Sequence, residues 1–217
     1  CIEESTQQLL LVLEMLEGTT FHDFMRKGPS QPVYRHRIMC DVCRALIYLH
    51  SRRPCIVHCD LKTMNIFIET SYRAKLLDFG LSRAVTHSAT HLGGTTRFTA
   101  PEHLRCEGTR RLTASADVFS FGRLLYCGAT GRKPLKHLSS EDLTNMANNG
   151  IKVSDLDWAP QPGHCSVLSQ LWCSLSERCT QQEANRRPSI TDVLESLESV
   201  WEEANLSEDL SNNGDAP

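Results

Sequence analysis

The segment IVHCDLKTMNIFI, Ile56 to Ile68, sets a carboxylate, an ammonium group and an amide close together, at Asp60, Lys62 and Asn65, and brackets them with apolar pairs. Downstream, LLDFG places Asp78 at a strand end, with Gly80 expected to give the backbone freedom to turn. The eighteen positions from Asp60 to Asp78 are enough for two short antiparallel strands and a return to the same edge, which would bring Asn65 and Asp78 together. An amide oxygen and a carboxylate converging there are hard ligands suited to Mg²⁺, which keeps several waters and takes its remaining ligands from phosphate. On that geometry Asp60 accepts a proton from an attacking hydroxyl, and Lys62 neutralises charge on the group transferred.

Such groups need elements to hold them. From Pro54 to Leu77 the chain alternates short apolar pieces, IV, NIFI and AKLL, with polar turns, which predicts short strands. Before them, Val33 to His50 carries Ile38, Val42, Ala45, Leu46 and Leu49 at helical spacing, with His36 and Arg37 assigned to the solvated face. Thr20 reads as the N-cap of a helix holding Phe21, Phe24 and Met25, stopped by Gly28 and Pro29. TASADVFSFGRLLYCG is apolar nearly all round, which predicts a deeply buried helix. Ser139 with Asp142, and Ser189 with Asp192, resemble capping boxes. Leu168, Leu171, Trp172 and Leu175 make one helical face, and Ile190, Val193, Leu194, Leu197, Val200 and Trp201 another.

LLLVLE, residues 9 to 14, predicts a strand covered on both faces, which needs neighbours that the eight residues before it do not supply. On this reading the chain is a piece of a longer polypeptide. DWAPQPGHC is a proline-rich connection, and from about Asn205 the acidic, polar run predicts a disordered tail. The fold expected is α+β, mainly α-helical, with short strands clustered near one end.

Composition narrows the function classes. At 217 residues, 40% hydrophobic and 23% charged, the chain is of ordinary globular type and could form one large domain or two small ones. A net charge of -3 argues against a nucleic-acid partner. No run reaches the ~20 apolar residues of a membrane span and no leader pattern is present, so an intracellular, cytoplasmic location is expected. The ten cysteines are scattered, and the CxxC of Cys40 and Cys43 falls inside a helical pattern, which favours buried thiols over a metal or redox centre.

HCDLKTMN, DFG, APE at Ala100 to Glu102, SADVFSFG and NRRPS occur in an order and spacing that resemble the C-terminal lobe of eukaryotic protein kinases, over roughly residues 9 to 202. The resemblance implies a protein-kinase-like fold over 1–204, with hinge strand, C-lobe and short β-hairpins at the catalytic loop, followed by the tail 205–217. It implies ATP and Mg²⁺ as cofactors and a protein substrate with a Ser or Thr acceptor. Asp60 looks like the catalytic base, Lys62 like the support of the γ-phosphate, and Thr95, in GGTTRFTAPE, like the threonine bonded to both. Asn65 and Asp78 correspond to the metal ligands. Leu13 would be the gatekeeper, Glu14 and Leu16 would meet the adenine through backbone groups, and Phe67 would form the floor beneath it. Lys62 with Thr95 favours serine or threonine over tyrosine, and DFGLSR with HCDLKTMN leans towards the tyrosine-kinase-like group. Glu102 and Arg187 resemble the ion pair tying the activation segment to the helical body. Asp117 would accept backbone N–H groups of the catalytic loop, His58 would pack beneath it, and Phe79 would be a packing switch for Asp78.

Two departures matter. Cys59 stands where the family most often carries Arg, which removes a clamp on a phosphorylated activation segment. The glycine-rich loop, the strand lysine and its helix glutamate are missing from these 217 residues, so the N-lobe is expected from the same longer chain. The piece alone is expected to have negligible activity. The competing reading is a pseudokinase or scaffold that uses the helical lobe for protein docking.

Overall fold

In the computed structural model, which describes residues 2–3, 8–9, 12–27, 32–85, 94–105, 112–152, 158 and 166–200, short strands precede and interleave with longer helices. In chain order they are β1 (Ile2–Glu3), β2 (Gln8–Leu9), β3 (Gly18–Thr20), α1 (Phe21–Lys27), α2 (Pro32–His50), β4 (Ile56–Val57), β5 (Ile66–Glu69) and β6 (Ala74–Leu76). Then follow β7 (Arg83–Ala84), α3 (Pro101–Leu104), α4 (Ala114–Thr130), α5 (Ser140–Asn148), α6 (Ser166–Cys179) and α7 over 190–200. This mainly helical α+β architecture matches the fold expected.

The apolar-all-round segment is α4, and every residue from Ala116 to Thr130 is buried. Its closest packing is against α6, made possible by two residues without side chains: a Cβ on Gly122 would lie 2.7 Å from Cys179 Cβ, and one on Gly128 would lie 2.8 Å from the Trp172 ring. Gly131 ends the helix in the left-handed region at φ 66°, its N–H donating to Cys127 O, a conformation that costs other residues steric strain. The core joins α1, α2, α4, α6 and α7 through Phe21, Ile38, Leu46, Phe121, Trp172 and Leu197.

Local signals set the helix starts. Asp23 N–H donates to Thr20 Oγ1 at the head of α1, Ser139 and Asp142 form a reciprocal capping box on α5, and Ser189 and Asp192 do the same for α7. The strands form three antiparallel groups, β1-β2, β3-β5-β6 and β4-β7. Within the hairpin Ile66 faces Leu76, Phe67 faces Lys75 and Ile68 faces Ala74. This is the antiparallel return foreseen between Asp60 and Asp78.

Three expectations need correction or lie elsewhere. Of the run 9–14 expected as a strand, Leu9 lies in β2, residues 10 and 11 fall outside the described residues, and Val12 to Glu14 are not a strand, with Val12 and Leu13 exposed; an apolar run becomes a strand only where a neighbouring backbone pairs with it. His36 is buried rather than solvated, because α2 is wrapped on more than one side: its ring stacks on Trp172 of α6 with centroids 6.4 Å apart. Arg37 is exposed as expected. The proline-rich connection apart from Trp158, and the tail from Asn205, lie outside the described residues. The cysteines of the CxxC are buried thiols, with burial pushing Cys40 up to about 12 and Cys43 well above the usual thiol range. Among the described residues no cluster of His, Cys, Asp and Glu has metal-site form, and no helix is long and apolar enough to cross a membrane.

Candidate active site

The loop after β4 is held from below by one buried carboxylate. Asp117 on α4 accepts His58 N–H at 2.9 Å and Cys59 N–H at 3.1 Å, and its Oδ2 also meets His50 Nε2 at 2.9 Å. A helix-start acid gains about 0.3–1 kcal/mol from the dipole, whereas hydrogen bonds to a charged group contribute about 1.5–3 kcal/mol each. The loop contacts therefore dominate. Cys59 can follow the tight path at φ 70°, its Sγ donating to Val57 O, and burial followed by the charge of Asp117 raises its thiol to about 12.

His58 is fully buried and works as a brace. Its Nδ1 accepts Asp60 N–H at 3.3 Å and its Nε2 donates to Leu77 O at 3.0 Å. One ring thus ties the residue that starts the polar cluster to the residue before Asp78. Ser82 Oγ adds a bond to His58 O, and the Phe79 ring lies 5.2 Å from the imidazole.

Asp60 is bonded on both oxygens. Oδ1 accepts from Thr95 N and Thr95 Oγ1, each at 3.0 Å; Oδ2 accepts from Lys62 Nζ at 2.6 Å and Asn65 Nδ2 at 3.1 Å. Burial opposes the charge, but the bonds from Lys62 and Thr95 outweigh it and hold the carboxyl below the ordinary range, so it is ionised at neutral pH. Thr95 is itself placed by the core: Phe98 N–H donates to Thr95 O, and Ser120 Oγ of α4 donates to Phe98 O at 2.8 Å.

Asn65 ends the short 3₁₀ turn Thr63–Asn65. With Nδ2 committed to both Asp60 O and Asp60 Oδ2, its Oδ1 is the atom left to meet a cation. Asp78 is tied in through backbone, since Leu77 N–H donates to Asn65 O at 2.8 Å. Its carboxylate does not bond to the Asp60 cluster; Oδ1 accepts Gly80 N–H at 3.2 Å. Here the expectation for Gly80 is corrected: the left-handed turn falls on Asp78, at φ 60°, while Gly80 supplies the N–H and the close approach, a Cβ there lying 3.1 Å from Asp78 Oδ1. An amide oxygen and a carboxylate oxygen are a donor set that fits Mg²⁺.

Of the four residues assigned to adenine, one belongs to the three-stranded sheet and three to the stretch 12–17. Phe67 lies in the central strand β5, opposite Thr20 and Lys75. Lys75 Nζ bridges Glu14 Oε1 and Glu69 Oε1, both at 2.8 Å, bringing the 12–17 stretch beside the hairpin. Leu16 is half-buried and Leu13 is 75% exposed. On the far side, Arg187 grips Glu102 through two bonds of 2.7 Å and also donates to Gln181 O and Ser115 O.

Two contributors escaped the sequence reading. Asp41 on α2 is buried, accepts Ala74 N–H and forms an ion pair with Arg73, anchoring the hairpin to the helix; an acid placed among the apolar positions of an amphipathic helix was its signal. His50 reaches Asp117 from 67 positions away, and no local pattern marks it.

The model of the protein kinase domain matches residues 1–197. The chain belongs to the protein kinase domain family. Among its relatives is an Arabidopsis thaliana protein named Probable serine/threonine-protein kinase PBL8, 32% identical over 210 residues, covering 90% of this chain and 50% of the relative. Leaf rust 10 disease-resistance locus receptor-like protein kinase-like 1.3 of the same plant is 31% identical over 217 residues, covering 91% of this chain and 31% of its own length. Wall-associated receptor kinase-like 1, also from Arabidopsis thaliana, is 34% identical over 220 residues, covering 92% and 29%. This protein kinase domain chain thus spans half or less of each of these relatives.

Proposed function

We propose that the chain carries the catalytic half of a protein serine/threonine kinase, which transfers the γ-phosphate of ATP to Ser or Thr hydroxyls of proteins. The observation that carries the reading is the fully bonded Asp60, gathered with Lys62, Asn65 and Thr95 in one cluster. Asp60, ionised and positioned by these bonds, orients the acceptor hydroxyl and takes its proton at Oδ2 as the Lys62 ammonium group turns from that oxygen to the group transferred. Lys62 holds positive charge against the group transferred, and Thr95, which bonds Asp60 and not Lys62, fixes the carboxylate that Lys62 meets. Asn65 Oδ1 and the Asp78 carboxylate would hold Mg²⁺, and when bound the ion neutralises phosphate charge. Leu13, Glu14, Leu16 and Phe67 would frame the adenine. Lys62 and Thr95 together support Ser/Thr over Tyr, as do the names of relatives.

On this reading the other wall of the nucleotide cleft, with a glycine loop and a strand lysine, comes from further residues of a longer chain, and the kinase works in the cytoplasm. Transfer that depends on positioning and electrostatics fails with one wall gone. The test measures Mg²⁺-dependent labelling of Ser, Thr and Tyr peptides by the 217-residue chain and by the longer polypeptide encoding it. The chain alone should stay at background, while the longer protein labels Ser or Thr and loses at least ~100-fold in kcat when Asp60→Asn is introduced. Brisk turnover by the short chain would refute the half-site; an inactive longer protein, or an indifferent Asp60→Asn variant, would leave the scaffold reading in its place.

A further inference from the structure

Beside the candidate base lies a cavity of about 260 Å³, and Lys62 and Thr95, which both bond Asp60, form one end of it. Its other basic residues come from two parts of the chain that are remote in sequence. α1 contributes Arg26 near its C-terminus, and the turn after α4 contributes Arg132 and Lys133. Arg26, Arg132 and Lys133 are exposed, and none of the described lining residues is Asp or Glu. Met25, Met64 and Phe98 give the cavity an apolar floor.

Cations at helix C-termini have an ordinary explanation in the helix dipole. That accounts for Arg26 on α1, and for Arg132 and Lys133 just past α4, taken separately. It does not account for their meeting around one cavity in a chain whose net charge is -3. A concave, partly apolar wall also concentrates their field, since water screens it poorly there.

We infer that this cavity receives acidic side chains of the protein substrate, placed within two or three residues of the acceptor hydroxyl. The inference rests on the kinase reading above for the identity of the acceptor, and extends it to a substrate class. An extended peptide advances about 3.3 Å per residue, so a hydroxyl at Asp60 leaves an Asp or Glu a few positions away beside Arg26, Arg132 and Lys133. Methylene groups of the same acidic residues, or an adjacent apolar residue, rest on the methionines.

The test is a binding titration, so it does not require the 217-residue chain to be active. Three fluorescent serine peptides of equal length, flanked by Asp/Glu, by Ala or by Lys/Arg, are titrated with the chain at about 50 and 300 mM NaCl. The acidic peptide should bind at least about tenfold more tightly than the others, with an advantage that shrinks at high salt. The triple variant R26E/R132E/K133E should abolish or invert that order, and R132A/K133A should remove part of it; circular dichroism and Tm verify that both remain folded. No peptide binding, no charge preference, a preference kept by the reversed variant, or a single-stranded oligonucleotide outcompeting the acidic peptide would each overturn the inference. Mg²⁺-nucleotide binding by the longer polypeptide separates the two claims. Nucleotide bound without acidic preference sinks the groove alone, and acidic preference without nucleotide sinks the kinase reading alone.

Discussion

At the residue scale the site is a set of polar atoms whose partners are already chosen. Asp60 spends both oxygens on Thr95, Lys62 and Asn65, so its carboxylate is fixed in place, as the proposed role requires, before any substrate arrives. His36 is a different kind of buried polar group. Desolvation holds its imidazole down to about 4, against smaller opposing effects from Glu198 and the Leu197 backbone. The unfolded chain, with an ordinary value near 6.5, therefore binds more protons than the folded one between the two. Stability should fall as pH drops from about 6.5 to about 4, by up to about 3 kcal/mol, and level off below. Chemical denaturation across that range, compared with His36→Gln, checks this: the difference curve should carry the slope, and parallel curves would assign it to other groups.

At the element scale the decisive contact is α4 on α6. A methyl at Gly122 would meet Cys179 Cβ at 2.7 Å, Thr180 Cγ2 at 2.9 Å and Ser176 O at 3.2 Å. Alanine in a helix is favoured over glycine by about 1 kcal/mol, but overpacking costs about 1–3 kcal/mol and the Ser176 to Gly122 O bond of 2.8 Å would be stretched as well. Packing wins, so Gly122→Ala should destabilise by about 2 kcal/mol and lower Tm by about 4–8 °C, measurable by calorimetry. The activation segment gives a second expectation. Cys59 offers no cation to a phosphate, and the loop is fixed instead by Asp117. If the proposed function holds, replacing Thr86, Ser88, Thr90 and Thr96 together by alanine in the longer polypeptide should leave most of its peptide labelling; abolition would show that a phosphate is needed. The first three of these lie outside the described residues.

At the scale of the whole molecule, Arg187 joins the segment after the candidate active site to the helical body. Its side chain is fully buried, it forks onto Glu102, and it stacks 5.0 Å above the Phe119 ring. Burial works against the Glu102 charge, yet Arg187 outweighs it and holds that carboxyl below its usual range. Arg187→Ala would strand Glu102 and three backbone carbonyls, at a cost of about 3–5 kcal/mol in urea unfolding. Arg187→Lys should recover little, because an ammonium group cannot reproduce the fork.

The sequence by itself determined the pieces whose cause is local or periodic. The three capped helix starts, the all-round apolar α4, the strand pieces flanking the polar cluster and the Glu102–Arg187 match were all legible, since each is written in neighbouring residues or in a motif at fixed spacing. Only the tertiary structure decided the groups whose environment comes from distant chain. His36 was assigned to water because its own helix gives one face to the core, but α6 covers a second side. His50 meets Asp117, Asp41 reaches the hairpin, and Arg26 joins Arg132, across separations no local pattern encodes. The run at residues 9–14 makes the converse case: its apolar pattern specifies a strand, yet beyond Leu9 the described residues Val12 to Glu14 form none, since a strand exists only where another backbone supplies its hydrogen bonds.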